Sequence, residues 1–118
     1  MNYPQFIIFK NTDRQFYFRM YNDKGKLLLT GEPNELRLNC INEIRQLYAI
    51  AERDFNYRLS KAQGHFYFEI INNQNKVIAT SEVFRTMPGM AYGINAVKKN
   101  VTVAVIEDYS SRVRFFSK

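Results

Sequence analysis

Gln15-Phe16-Tyr17-Phe18-Arg19-Met20-Tyr21-Asn22-Asp23-Lys24-Gly25-Lys26-Leu27-Leu28-Leu29-Thr30-Gly31-Glu32 decides the fold, because the chain writes it twice. Fifty positions on, without a gap, stands His65-Phe66-Tyr67-Phe68-Glu69-Ile70-Ile71-Asn72-Asn73-Gln74-Asn75-Lys76-Val77-Ile78-Ala79-Thr80-Ser81-Glu82. Seven positions are identical, from Phe16/Phe66 to Glu32/Glu82, and Met20/Ile70, Leu27/Val77 and Leu28/Ile78 agree in kind. A repeat of this length is one supersecondary unit used twice.

Each copy reads as strand, turn, strand, helix. Phe16, Phe18 and Met20 alternate with Tyr17, Arg19 and Tyr21, the period of a half-buried strand. Phe66, Phe68 and Ile70 alternate in the same way with Tyr67, Glu69 and Ile71. Asn22–Gly25 and Asn72–Asn75 occupy the turns, and Gly25 and Asn75 share one repeat position. Glycine and asparagine are the residues that most readily take positive φ, as a short hairpin loop closed by a left-handed residue requires. Lys26–Thr30 and Lys76–Thr80 return. Cys40, Ile44, Leu47, Tyr48 and Ala51 then recur at helical spacing, as do Met87, Ala91, Ile94, Val97 and Val101. Asn34 or Asn39 is placed to cap the first helix and Thr86 the second.

Before the first copy, Phe6–Lys10 reads as a strand. Asp54–Ser60 is expected to be one strand serving both copies, Thr102–Glu107 a strand after the second helix, and Arg112–Phe116 a last strand or an ordered tail. No Pro/Gly/Ser-rich linker separates the copies. The chain therefore reads as a single domain over 1–118, made of repeats at about 5–54 and 55–108 with an extension at 109–118. The expected core is Phe16, Phe18, Phe66 and Phe68 beneath Ile44, Leu47, Ile94 and Val97.

These residues resemble a known family. The Phe66-Tyr67-Phe68 strand, the Asn72–Asn75 turn, the Lys76–Glu82 return and Gly93-Ile94-Asn95-Ala96-Val97-Lys98-Lys99-Asn100 are similar to the YegP-like tandem-repeat proteins of bacteria. Copy one matches through Glu32 and then departs: Glu43 stands where Gly93 does, and Arg45-Gln46-Leu47-Tyr48 replaces Asn95-Ala96-Val97-Lys98. The resemblance covers about residues 5–108. It implies an α+β fold of two pseudo-symmetric βββα repeats. They form one shared, mainly antiparallel sheet with two helices on one face. It implies no reaction, substrate or cofactor.

Composition narrows the function classes. The net charge of +6 is uneven, +1 over residues 1–54 and +5 over 55–118, yet Lys98-Lys99 is the only adjacent basic pair. Scattered charge of this kind serves solubility before it serves nucleic acid. The lone Cys40 allows no internal disulfide, which fits a reducing, cytoplasmic setting. No targeting segment is visible, and the longest aliphatic stretch, Val101–Ile106, is far short of the roughly 20 residues a membrane-spanning helix needs. His65 aligns with Gln15, an interchange typical of an exposed polar position, and one His with one Cys cannot build a common zinc site. No carboxylate pair or phosphate loop suggests catalysis. Gly64–Ile70 superficially resembles the aromatic strand of an RNA-recognition motif, but Tyr67 must face away from Phe66 and Phe68. The expected binding surface is Tyr17, Arg19, Tyr21 and Tyr67, which alternate with the core positions. The leading reading is a non-enzymatic bacterial interaction module that presents this Tyr/Arg face or an exposed strand edge to a protein partner, with no membrane and no cofactor. The alternative is a basic nucleic-acid-binding domain.

Overall fold

Strand parity sorts the side chains, and the computed structural model, which describes residues 3–110, shows the sorting. The elements are β1 (Gln5–Lys10), β2 (Phe16–Tyr21), β3 (Leu27–Gly31), α1 (Arg37–Ile50), β4 (Tyr57–Ala62), β5 (His65–Ile71), β6 (Val77–Ser81), α2 (Met87–Val101) and β7 (Val105–Asp108). The seven strands form one sheet in the order β4-β5-β6-β3-β2-β1-β7. Every neighbouring pair is antiparallel except β1 and β7. The two copies meet where β3 pairs with β6 through Leu29↔Ser81, Thr30↔Thr80 and Gly31↔Ala79.

A single core lies between sheet and helices. Phe18, Met20, Phe68 and Ile70 from the strands join Ile44, Leu47, Met90 and Val97 from the helices in one cluster. Phe18 and Phe68 are fully buried. Phe16, Phe66 and Ile94, expected in the core, are only partly buried at its margin. The reason is their position. Phe16 and Phe66 lie in the first two positions of their strands, where the ammonium groups of Lys10 and Lys61 lie over their rings at 5.2 and 5.5 Å.

Strict alternation does not account for the run Leu27-Leu28-Leu29. Leu29 pairs with Met20 and Leu27 with Tyr21, so Leu28 is an extra residue in a bulge. Ile78 is the extra residue between Ala79↔Ile70 and Val77↔Ile71. A bulge turns two consecutive side chains to the same side. Leu28 with Leu29, and Ile78 with Ala79, accordingly all enter the core.

The hairpins between these strands share one mechanism. Asn22 Oδ1 accepts the backbone N–H groups of Lys24 and Lys26, each at 2.9 Å, and Asn72 Oδ1 accepts those of Gln74 and Lys76 at 2.9 and 3.0 Å. Gly25 has φ 82° and Asn75 φ 65°, as the shared repeat position requires.

The connections differ from expectation in three places. Asp54–Asn56 is a 3-10 turn, and the strand that follows runs from Tyr57 and pairs only with β5. Its hairpin closes through Gln63 and Gly64, both at positive φ, a two-residue turn whose twist suits adjoining strands. That loop is shorter than the one after β1, so Lys61 stands fifty-one positions after Lys10 although both face the first Phe of the next strand. The strand after α2 begins at Val105 because the helix persists to Val101. Neither Asn34 nor Asn39 caps α1: its N-cap is Leu36, without a side-chain bond, whereas Thr86 caps α2 by accepting the Gly89 N–H at 3.0 Å. Arg112–Phe116 lies outside the described residues.

β7 is fastened to the helix layer by its last residue. Asp108 accepts from Arg37 of α1 at 2.5 Å and from the backbone and hydroxyl of Ser110. Burial opposes its charge, but the Ser110 bonds and then Arg37 prevail and hold the carboxyl below the usual range. Among the described residues no helix is long and apolar enough to cross a membrane.

Two stability measurements check this architecture. Phe68→Ala removes a fully buried ring and should cost about 3–5 kcal/mol in denaturant unfolding. Gly25→Val should destabilise by more than about 1 kcal/mol, since a β-branched side chain tolerates positive φ poorly, whereas Gly25→Asn should be mild because Asn75 already occupies the equivalent position.

Candidate functional site

Two surfaces emerge from this frame. The first is the sheet face turned away from the core. Register lines up one side chain from each strand across it: Arg58, Glu69, Thr80, Thr30, Arg19, Ile7 and Glu107. Tyr17, Arg19 and Tyr21 stand together on β2, half-buried, as their alternation with Phe18 and Met20 demands. Tyr17 stacks on Phe9 with ring centroids 5.5 Å apart, and Tyr109 meets Phe9 edge-on. The Arg19 guanidinium lies 5.7 Å from the Tyr17 ring and 6.0 Å from the Phe9 ring, within reach of a cation–π attraction. Arg19 Nε is buried and has no hydrogen-bond partner among the described residues.

Tyr67 does not join that group. Its strand, β5, lies three strands from β2, so about 14 Å of sheet separates them. Tyr67 stands opposite Ser60 of β4 instead. The expected four-residue surface is thus an aromatic–arginine cluster on β2 and a separate tyrosine on the other half. The halves also differ in charge. Glu69, the repeat equivalent of Arg19, accepts from Arg58 at 2.8 and 3.0 Å.

The second surface comprises two clefts, each between a hairpin of one copy and the helix of the other. In the first, Asn72 and Lys76 of the β5–β6 hairpin face α1. Lys76 Nζ donates to Glu43 Oε2 at 2.8 Å, Asn34 Nδ2 donates to Glu43 Oε1 at 3.0 Å, and Asn72 Nδ2 donates to Gln46 Oε1 at 3.2 Å. The first two of these bonds satisfy the Glu43 carboxylate, which is only 3% exposed. In the second cleft, Asn22 and Lys26 of the β2–β3 hairpin face α2. There Gly93 replaces Glu43, Ala96 replaces Gln46 and Phe84 replaces Asn34. Phe84 stacks on Phe68 at 6.2 Å and lies so close to Gly93 that a Cβ there would come within 2.4 Å of the ring. The result is a cavity of about 380 Å³ lined by Lys26, Phe84, Tyr92 and Gly93. A second cavity of about 420 Å³ adjoins it and shares Asn22, Tyr92 and Ala96.

Sequence reading passed over this second cleft. Its signal was present in the repeat, in the positions where one copy breaks the other's pattern: Asn34/Phe84, Glu43/Gly93 and Gln46/Ala96. The residues with the best-known chemistry contribute little. His65 is exposed at the start of β5. Cys40 is buried, and burial first, then Glu43 and Asp108, pushes its thiol up to about 12, far from the thiolate a nucleophile needs. Among the described residues no group of three or more His, Cys, Asp or Glu side chains could hold a metal ion.

Comparison with known proteins gives a consistent outcome. A family model described as a domain of unknown function, DUF1508, matches residues 62–108, the second copy. The UPF0339 protein YegP of Escherichia coli is 26% identical over 104 residues, covering 87% of this chain and 94% of that protein. A UPF0339 protein of Pseudomonas aeruginosa is 23% identical over 107 residues, covering 90% of this chain and 97% of the relative. Among solved structures, the solution structure of Escherichia coli yegP, a protein of unknown function, superimposes with a TM-score of 0.89 at 24% identity, covering 96% of this chain and 98% of that one. A UPF0339 protein of Shewanella oneidensis gives 0.88 at 21% identity, covering 95% of each chain. The two likenesses in structure establish the fold.

The asymmetry between the clefts can be measured. Lys76→Met strands the buried Glu43 carboxylate and should cost about 1–3 kcal/mol. Lys26→Met, which breaks no ion pair seen among the described residues, should fall within about 0.5 kcal/mol of the parent in urea unfolding.

Proposed function

The chain is YegP-like in sequence and fold, and from that premise we propose that it is a non-enzymatic interaction module whose partner is a protein. The partner docks on the β2 cluster of the outer sheet face. One observation carries the reading: Arg19 keeps its charge on two aromatic rings, with a buried Nε and no acidic partner among the described residues. Equivalent Glu69 is already neutralised by Arg58, so of these two repeat-equivalent charges only Arg19 is without an ionic partner among the described residues. A carboxylate from a partner surface would complete Arg19, and Tyr17, Tyr21 and Phe9 offer large contact area around it. Tyrosine and arginine are the residue types that concentrate binding energy at interfaces. Tyr67 is a separate contact at most.

The test is co-purification with a tagged chain from a bacterial lysate. Tyr17→Ala/Arg19→Ala, shown to be folded, should lose the captured partner, whereas Tyr67→Ala should retain it. Capture at full strength by the double variant overturns the assignment. Retention on mixed RNA or DNA that weakens steeply with salt would support the nucleic-acid alternative instead, because phosphate contacts release counterions.

A further inference from the structure

We propose that the cleft between the β2–β3 hairpin and α2 is a binding site for a small molecule bearing a carboxylate on an apolar, ring-containing body. The molecule supplies its own comparison. Both clefts are built from the same hairpin residues: Asn22 with Lys26, and Asn72 with Lys76. In both, the asparagine Oδ1 is held by two turn N–H groups, which leaves the amide nitrogen to donate elsewhere. Where the helix offers Glu43 and Gln46, the two donors find a carboxylate and an amide oxygen, at 2.8 and 3.2 Å. Where it offers Gly93 and Ala96, Lys26 Nζ and Asn22 Nδ2 have no acceptor among the described residues, and the cavity of about 380 Å³ there is larger than the one of about 280 Å³ beside Gln46 and Asn72.

What the cavity lacks tells which ligand suits it. Two donors on one hairpin, open to water and without a protein acceptor among the described residues, suit an oxyanion, and the counterpart cleft shows the same lysine position paired with a carboxylate. One charge is the better match. Lys24 and Lys99 stand at the adjoining cavity, but Asp23 is there too and Glu82 lines the cleft itself, which disfavours a dianion such as a phosphate ester. The remaining wall is apolar. Phe84 lies on Gly93, and Tyr92, 77% exposed, presents its ring beside them. Adjoining cavities of about 380 and 420 Å³ are of the size that accepts a small organic molecule.

The site is independent of Arg19 and the outer sheet face, so it is tested separately. The experiment is an amide NMR titration with phenylacetate, with 2-phenylethanol and inorganic phosphate as comparison probes. Phenylacetate should give saturable shifts concentrated at Asn22, Lys26, Tyr92, Gly93 and Ala96. Ala96→Gln, which hands Asn22 the acceptor that Gln46 gives Asn72, should weaken binding about tenfold, as should Lys26→Met, each with an otherwise native spectrum. Arg19→Ala should leave the titration unchanged. Scattered or unsaturable shifts, equal binding of 2-phenylethanol, an equal response to phosphate, or indifference to both cleft variants would each overturn the proposal.

Discussion

Everything in this fold hangs on one short antiparallel seam, Leu29↔Ser81, Thr30↔Thr80 and Gly31↔Ala79. Without it each copy ends in a bare strand edge, with a helix too narrow to cover its own strands. With it the sheet is continuous, and the apolar faces of both copies fuse into one core. The seam needs near-equivalence of the two copies, because the same residues, Thr30 and Thr80, meet each other across it. Small side chains suit the place. Bulges immediately beyond it, at Leu28 and Ile78, then drive two extra aliphatic residues inward and thicken the core where the halves join.

Similar copies do not stay similar where function could enter. The hairpins are conserved in mechanism, down to an asparagine that holds each turn. The helices facing them are not. One offers Glu43 and Gln46 and ties its hairpin down; the other offers Gly93 and Ala96 and leaves the opposite hairpin unbonded. The outer face shows the same separation, with Glu69 paired to Arg58 and Arg19 resting on aromatic rings. A duplicated frame lets one half carry the packing while the other keeps polar groups available.

Much of this was legible in the sequence. Two-residue alternation, the turn positions Gly25 and Asn75, and the apolar helical spacing gave the elements, since each follows from local sterics and burial. Long-range relations were harder. The bulges depend on how β2 meets β3 and β5 meets β6, which the run Leu27-Leu28-Leu29 only hints at. The register of β4 was displaced by a hairpin one residue shorter, a difference invisible to an ungapped repeat. Asn34 and Asn39 are both of the type that caps a helix, yet neither does so, and contact with Glu43 claims the Asn34 side chain. Parity turns Tyr17, Arg19, Tyr21 and Tyr67 to one sheet face, but strand order, which no pattern in the chain specifies, carries Tyr67 away from the other three. The unbonded cleft was missed because it consists of small residues, whose meaning appears only beside the larger ones that bond to the hairpin across its counterpart.

Cys40 has a consequence of its own. It is the chain's single thiol, wholly buried in α1, and its elevated proton affinity keeps it in the unreactive form. A disulfide reagent in solution therefore reaches it only when the helix lifts from the sheet. Divided by the rate of a free thiol, the rate at which the sulfur is modified measures the fraction of time the helix stands open when reclosing is the faster step, so the protein carries a built-in gauge of its own breathing, readable without any added label.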